Sequence, residues 1–240
     1  MRIGVFGATG VIGSRVVAEA VERGHQVVAF TRDAARIPPE ASDPAEVTLG
    51  GVTAGGVTWR VADVLDVADV VGALQGLDVV VNALNSGRDI PDTIANADVL
   101  PSAARVLLEA LESHPVARLI VIGGAGSLEV RPGLQVVDVE GFAEGLPQAL
   151  QVPPEYVKVV LAHREALGLY RLSNRNWTYV SPSAGRVEPG ARTGRFRTGG
   201  DRLLVREDGT CDISAEDLAV AVIDEAEAPR HVQRRFTVGY

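Results

Sequence analysis

Three glycines near the start of the chain, in Gly7-Ala8-Thr9-Gly10-Val11-Ile12-Gly13, are spaced G-x-x-G-x-x-G. That spacing suits a bound pyrophosphate. Gly7 lets the chain leave a strand in a tight turn. Gly10 leaves the backbone bare for a phosphate to approach, and Gly13 lets the next helix pack closely on the strand. A helix opening there adds unpaired N–H groups and the positive end of its dipole. The plain alternative is an ordinary strand-to-helix turn. The flanks favour the phosphate reading: Met1–Phe6 is a short apolar strand, and Ser14–Arg23 has helical spacing.

A second group of residues falls where such a fold would place the rest of a dinucleotide. Arg32 follows the second strand, nineteen residues after Gly13, and Arg36 is nearby. An arginine there accommodates the 2′-phosphate of NADP, whereas an acidic residue bonds the ribose hydroxyl of NAD. Arg32 therefore points to NADP, while Asp33 keeps NAD open. Asp63, just past the third strand, would accept from the adenine amino group, with Val64 lining the ring. The equal alternative is that Asp63 or Asp66 caps a helix. Asn82, Ala83 and Leu84 end the fourth strand over the expected cofactor site. Gly123 and Gly124 end the fifth and would open space beside the nicotinamide, because ligands of open α/β sheets sit outside the carboxyl ends of strands.

The bulk numbers agree with a soluble globular protein. Of 240 residues, 46% are apolar and 22% charged, enough core for a single α/β domain. A net charge of −8 argues against nucleic acid or anionic membrane as partner. Cys211 is the only cysteine, so no intrachain disulfide forms. His25, His114, His163 and His231 lack metal-ligand spacing. No apolar run is long enough to span a membrane, and the N-terminus does not read as a signal peptide. The cytoplasm is the expected compartment. The sequence says nothing about oligomeric state.

These residues need strands alternating with helices to position them. His25–Phe30 reads as the second strand, Val57–Val61 the third, Leu77–Ala83 the fourth, Ala117–Ile122 the fifth, Asn176–Val180 the sixth and Arg235–Val238 the last. The valine run of the fourth suits a strand buried on both faces. Ile37–Gly56 reads as a surface loop with a short hairpin around Val47–Val52. Helices are expected over Val67–Leu74, Asp92–Ser113, Glu155–Leu172 and Ser214–Ala226, the last capped by Ser214. Leu128–Pro154 reads as mostly irregular, with one helical turn near Val139–Glu144. Gly185–Arg206 is rich in arginine. Its Arg192 or Arg195 would suit a phosphate or carboxylate on a substrate, against the plainer reading of a solvated loop with scattered ion pairs. The loops 124–154 and 181–206 are the expected substrate region. The fold class is a Rossmann-type doubly wound parallel sheet with helices on both faces.

The turn at Gly7–Gly13, Arg32 and Asp63 resemble the atypical short-chain dehydrogenase/reductase superfamily. Trp177-Thr-Tyr-Val-Ser-Pro182, Glu188-Pro-Gly-Ala-Arg-Thr-Gly194, Gly199-Gly-Asp-Arg-Leu-Leu204 and Ile213-Ser-Ala-Glu-Asp217 narrow it. These look like the NAD(P)-binding group labelled NADH-flavin reductases, related to biliverdin reductase B and NmrA-like proteins. The resemblance spans nearly the whole chain. It implies an NADPH-preferring reductase of a flavin or other conjugated small acceptor, or else a non-catalytic NADP-sensing regulator. A sugar-nucleotide epimerase of the same superfamily is the remote third reading. Typical members use a serine and a Tyr-x-x-x-Lys pair, for which Ser127 and Tyr156 are the catalytic candidates. Here Val160 stands where the lysine belongs, and Lys158 falls on another helix face. The superfamily's proton relay therefore does not carry over.

Overall fold

The computed structural model describes residues 1–37, 52–54 and 56–240. Seven parallel strands form its centre: β1 (Arg2–Phe6), β2 (Gln26–Thr31), β4 (Val57–Val61), β5 (Val79–Asn82), β6 (Arg118–Ile122), β9 (Trp177–Pro182) and β11 (Arg234–Gly239). Their spatial order is β4-β2-β1-β5-β6-β9-β11. Antiparallel strands close both edges: β3 (Val52–Ala54) beside β4, and β10 (Arg197–Gly199) beside β11. This is the doubly wound order expected from the sequence. The chain winds outward from β1 in one direction and returns to β5 to wind in the other. The switch point is the gap between β1 and β5.

Helices α1 (Val11–Glu22) and α7 (Ala215–Glu227) pack together on one face of the sheet. On the other lie α2 (Val67–Leu74), α4 (Val99–Ser113) and α6 (Val157–Arg171). Two apolar layers result. Ile3, Val5, Val16, Val79, Val81, Leu218 and Val222 fill the first, and Phe6, Phe30, Val80, Leu107, Leu119, Tyr170 and Trp177 the second. The valines of β5 alternate between them, which is why that run has no polar face. Ser214 caps α7, its hydroxyl accepting from the Asp217 N–H at 3.0 Å. Such a cap contributes about 1 kcal/mol.

Three local expectations need correction. The helix over Asp92–Ser113 is two: α3 (Ile90–Ala95) and α4. A continuous helix would need an N–H at Pro101, and proline is tolerated only in a first turn, where α4 holds it. The Asn96 side chain also donates to the Asp92 carbonyl at 2.8 Å, helping to end α3. The segment after β6 is more ordered than its glycines and prolines suggest. It forms a small hairpin of β7 (Glu129–Arg131) and β8 (Leu134–Gln135), then helix α5 (Phe142–Leu150). Burial of Leu146, and Leu150 filling the space beside Gly185, offset the poor propensity of α5. Helix α1 begins at Val11 rather than Ser14. The hairpin expected around Val47–Val52 lies, up to Gly51, outside the described residues; Val52–Ala54 pairs antiparallel with Val57–Trp59.

Candidate dinucleotide and acceptor site

The glycine turn sits at the carboxyl end of β1, on the switch point. Gly7 has φ +76°, and a Cβ there would stand 2.5 Å from the Ala83 carbonyl oxygen, so the turn lies directly on the exit of β5. A Cβ on Gly13 would stand 2.1 Å from the Gly7 oxygen, so only hydrogen fits between helix and turn. Gly10 closes the turn, its N–H donating to the Gly7 oxygen at 2.9 Å, and is itself exposed. The first helical bond of α1 runs from the Ser14 N–H to the Gly10 oxygen, 3.0 Å. The N–H groups of Val11, Ile12 and Gly13 therefore precede any carbonyl that the helix offers them, and no side chain caps them. This cradle fits a pyrophosphate in its donors and in its missing side chains. Ala8 is buried, while Thr9 and Ile12 are half-buried at the rim.

Arg32 is exposed at the carboxyl end of β2 and makes no ion pair among the described residues. Asp33 turns back instead, capping a short 3₁₀ turn by accepting from the Ala35 N–H at 3.0 Å. Arg88, from the loop after β5, comes within 3.6 Å of Asp33. Asp63 is exposed past β4. It accepts from the Leu65 N–H at 3.0 Å, and its own N–H donates to Asp69. The helix cap is Asp66, on the Asp69 N–H. Val64 is buried beneath. Asn82 is buried, with its side-chain Oδ1 accepting from the Leu84 N–H at 3.2 Å, and Ala83 and Leu84 are half-buried beside the turn.

At the carboxyl end of β6, Gly123 makes room for protein rather than for open space: a Cβ there would overlap the Tyr179 ring. Gly124 faces the imidazole of His163 on α6, 3.4 Å from where a Cβ would stand. The Tyr179 hydroxyl donates to the His163 carbonyl at 3.1 Å, tying α6 to β9. Apolar surroundings lower the His163 pKa to about 4, so the ring is neutral at physiological pH. It retains some exposed surface. In the sequence His163 lacks metal-ligand spacing and so does not stand out. The available signal was its position seven residues, two helical turns, after Tyr156.

Ser127 and Tyr156 are not brought together by any hydrogen bond. Ser127 is buried, and both its hydroxyl and its carbonyl accept from Arg235, at 2.9 and 2.8 Å. Tyr156 ends the 3₁₀ turn Pro154–Tyr156 before α6 and packs on Ala97, Leu100, Val159 and Ala162. Burial raises its pKa, and Arg186 partly offsets this. Val160 fills the space beside Gly126. Arg192 does not point at an acceptor. It is locked to Glu19 of α1, while Thr193 and Gly194 donate to Asp217 of α7. Arg195 is exposed.

Residues 7–229 match the model of a family described as NAD(P)H-binding. The YwnB protein of Bacillus subtilis, itself uncharacterised, is 31% identical over 99% of this chain and 98% of its own. Among solved structures, a candidate exported protein from Burkholderia pseudomallei is 40% identical and superposes with a TM-score of 0.78, covering 100% of both chains. A candidate NADH-flavin reductase from Streptococcus pneumoniae is 27% identical at a TM-score of 0.75, over 100% of this chain and 99% of that one. None of the described helices is long and apolar enough to cross a membrane.

Proposed function

This chain belongs to the NAD(P)H-binding family, and from that premise we propose that it is an NADPH-preferring oxidoreductase that reduces a flavin or another conjugated small acceptor. The observation that carries the reading is the glycine cradle at the β1/β5 switch point, with its uncapped N–H groups at Val11–Gly13. These hold the pyrophosphate. Arg32, exposed and free of ion pairs among the described residues, takes the 2′-phosphate. Asp63 and Val64 take the adenine, Asn82–Leu84 the ribose next to the nicotinamide, and Gly124 the nicotinamide side. The bound cofactor supplies the hydride. The protein supplies position and a shielded surface. His163, neutral against Gly124, borders that surface. With Val160 in place of a lysine, no tyrosine is activated for proton transfer, which favours an acceptor that needs none from the protein at the hydride step. The Streptococcus pneumoniae relative, a candidate NADH-flavin reductase, supports the same acceptor class.

The test is turnover. Purified protein is mixed with NADPH and a panel of flavins, quinones and carbonyls, and loss of the reduced nicotinamide absorbance is followed. NADPH oxidation that depends on one class of acceptor is expected. Tight NADPH binding with no turnover across the panel would sink the reductase reading.

That outcome would favour a dinucleotide sensor, the second reading. Its motive is Ser127, whose hydroxyl is buried and committed to Arg235. A sensor holds a protein partner with different affinity in the NADP and NADPH states. Equal partner binding in both states and in neither would remove it.

A further inference from the structure

A cationic cavity lies along the β10-β11-β9 edge of the sheet, away from the glycine cradle on β1. It measures about 450 Å³ and is lined by Arg171, Trp177, Asp201, His231, Arg234 and Arg235, with the backbone of Thr198–Gly200. Trp177 and Arg234 begin their strands. The glycine cradle sits on β1, four strands from β11 in the sheet, or about 19 Å at the usual spacing between strands. The two sites are therefore separate.

Three guanidinium groups face one carboxylate here, in a chain whose net charge is −8. Asp201 neutralises only part of the excess. It accepts from Arg171 Nη2 at 2.7 Å and from Arg235 Nε at 2.7 Å. Arg235 is used up internally, since Nη1 also serves Ser127. Arg171 spends one nitrogen on Asp201 and keeps the rest of its fork. Arg234 is exposed and has no ion pair among the described residues. His231 is fixed by Glu225 through Nδ1 at 2.8 Å and stacks on Phe236, so its ring forms a firm wall. Guanidinium forks on a rigid wall recognise planar or tetrahedral oxyanions through paired hydrogen bonds. The volume exceeds that of a lone ion and suits a small metabolite.

We propose that this cavity is a second ligand site, for a small organic dianion gripped by Arg171 and Arg234, and independent of the dinucleotide crevice. A phosphomonoester and a dicarboxylate share the required chemistry.

The experiment reads Trp177, which lines the cavity. Trp59 and Trp177 are the chain's two tryptophans, so Trp59→Phe isolates the signal. Glycerol 3-phosphate and malate are titrated separately, with glycerol and potassium chloride at matched ionic strength as controls. A saturable change with at least one dianion and with neither control is expected, and the two arms show which oxyanion is preferred. Arg234→Ala should weaken binding by about tenfold or more, close to 1.4 kcal/mol. Arg234→Lys should recover part of it, and Arg32→Ala should leave it unchanged. An equal response to potassium chloride, or unaltered affinity in Arg234→Ala, overturns the proposal. If Trp59→Phe does not fold, calorimetric titration of the same Arg234 variants in the native background gives the same decision.

Discussion

Arg192 donates Nε and Nη2 to the two carboxylate oxygens of Glu19, at 2.7 and 2.8 Å, across 173 residues of sequence. Glu19 is 4% exposed and also accepts from Arg23 at 2.7 Å. One carboxylate thus ties the arginine-rich loop after β9 to the helix that opens at the glycine cradle. The Arg192 hydrogen bonds hold the Glu19 pKa below its ordinary value; burial opposes this and Arg23 reinforces it. A carboxyl with a depressed folded pKa contributes stability above its unfolded pKa and loses it as the pH falls through the folded value. Glu19→Gln should cost on the order of 2 kcal/mol at neutral pH. It should also flatten the acid limb of stability, measured by denaturant unfolding at a series of pH values. An unchanged acid limb would show that Glu19 is not the group that titrates.

Gly13→Ala tests the cradle more directly. The added methyl would stand 2.1 Å from the Gly7 oxygen, a backbone atom held by the turn. Helix and turn must then separate, and the N–H groups of Val11–Gly13 lose their common aim. NADPH affinity, followed by tryptophan quenching, should fall by at least about a hundredfold, or 2.7 kcal/mol. Gly72→Ala is the control, because nothing lies within 4 Å of its Cβ position. Comparable NADPH affinity in the two variants would remove the cradle from the site.

The two ends of the site differ in how much the sequence discloses. Near Gly7–Gly13 every residue that matters is local, and spacing alone predicts turn, helix and strand. β5 is readable for the same reason, since the three valines Val79–Val81 in a row suit a strand buried on both faces. The acceptor side depends on contacts between distant segments. Nothing in Gly123 says that Tyr179, 56 positions on, would occupy its missing side chain. The arginines of the 185–206 loop look alike in sequence, yet Arg192 finds Glu19 and Arg197 finds the Tyr240 carbonyl. Ser127 has the residue type of a catalytic hydroxyl, and only the fold sets it against Arg235. Only one turn of helix α5 is legible, near Val139–Glu144, because burial of Leu146, not propensity, sustains the rest.

The choice between NADPH and NADH should rest on Arg32. It is exposed at the end of β2, whereas the adjacent Asp33 is occupied by its own turn and faces Arg88. Arg32→Ala should weaken NADPH by about tenfold to a hundredfold, or 1.4 to 2.7 kcal/mol, and leave NADH nearly unchanged. Rising salt should narrow the difference between the cofactors in the native protein, because an exposed cation is screened. Equal loss for both cofactors would mean that Arg32 supports the loop and does not read the 2′-phosphate.

His163 carries the last prediction. Its apolar surroundings hold the pKa down to about 4, against 6.5 for an ordinary histidine. Between those values the unfolded chain binds a proton that the folded chain refuses, so stability must rise with pH across this window and level off above it. Below the folded value both states are protonated and the slope vanishes again. The imidazole C–H resonance of His163 should therefore titrate near 4, and His163→Gln should lower the slope of denaturant-measured stability between 5 and 6.5, above the range of the carboxyls. The same neutrality bears on turnover. If NADPH oxidation is established, its rate should show no step near 6.5 attributable to this ring, and His163→Gln should leave the pH profile between 5 and 8 unaltered in shape. A step that disappears in the variant would instead make His163 a proton donor with the cofactor bound.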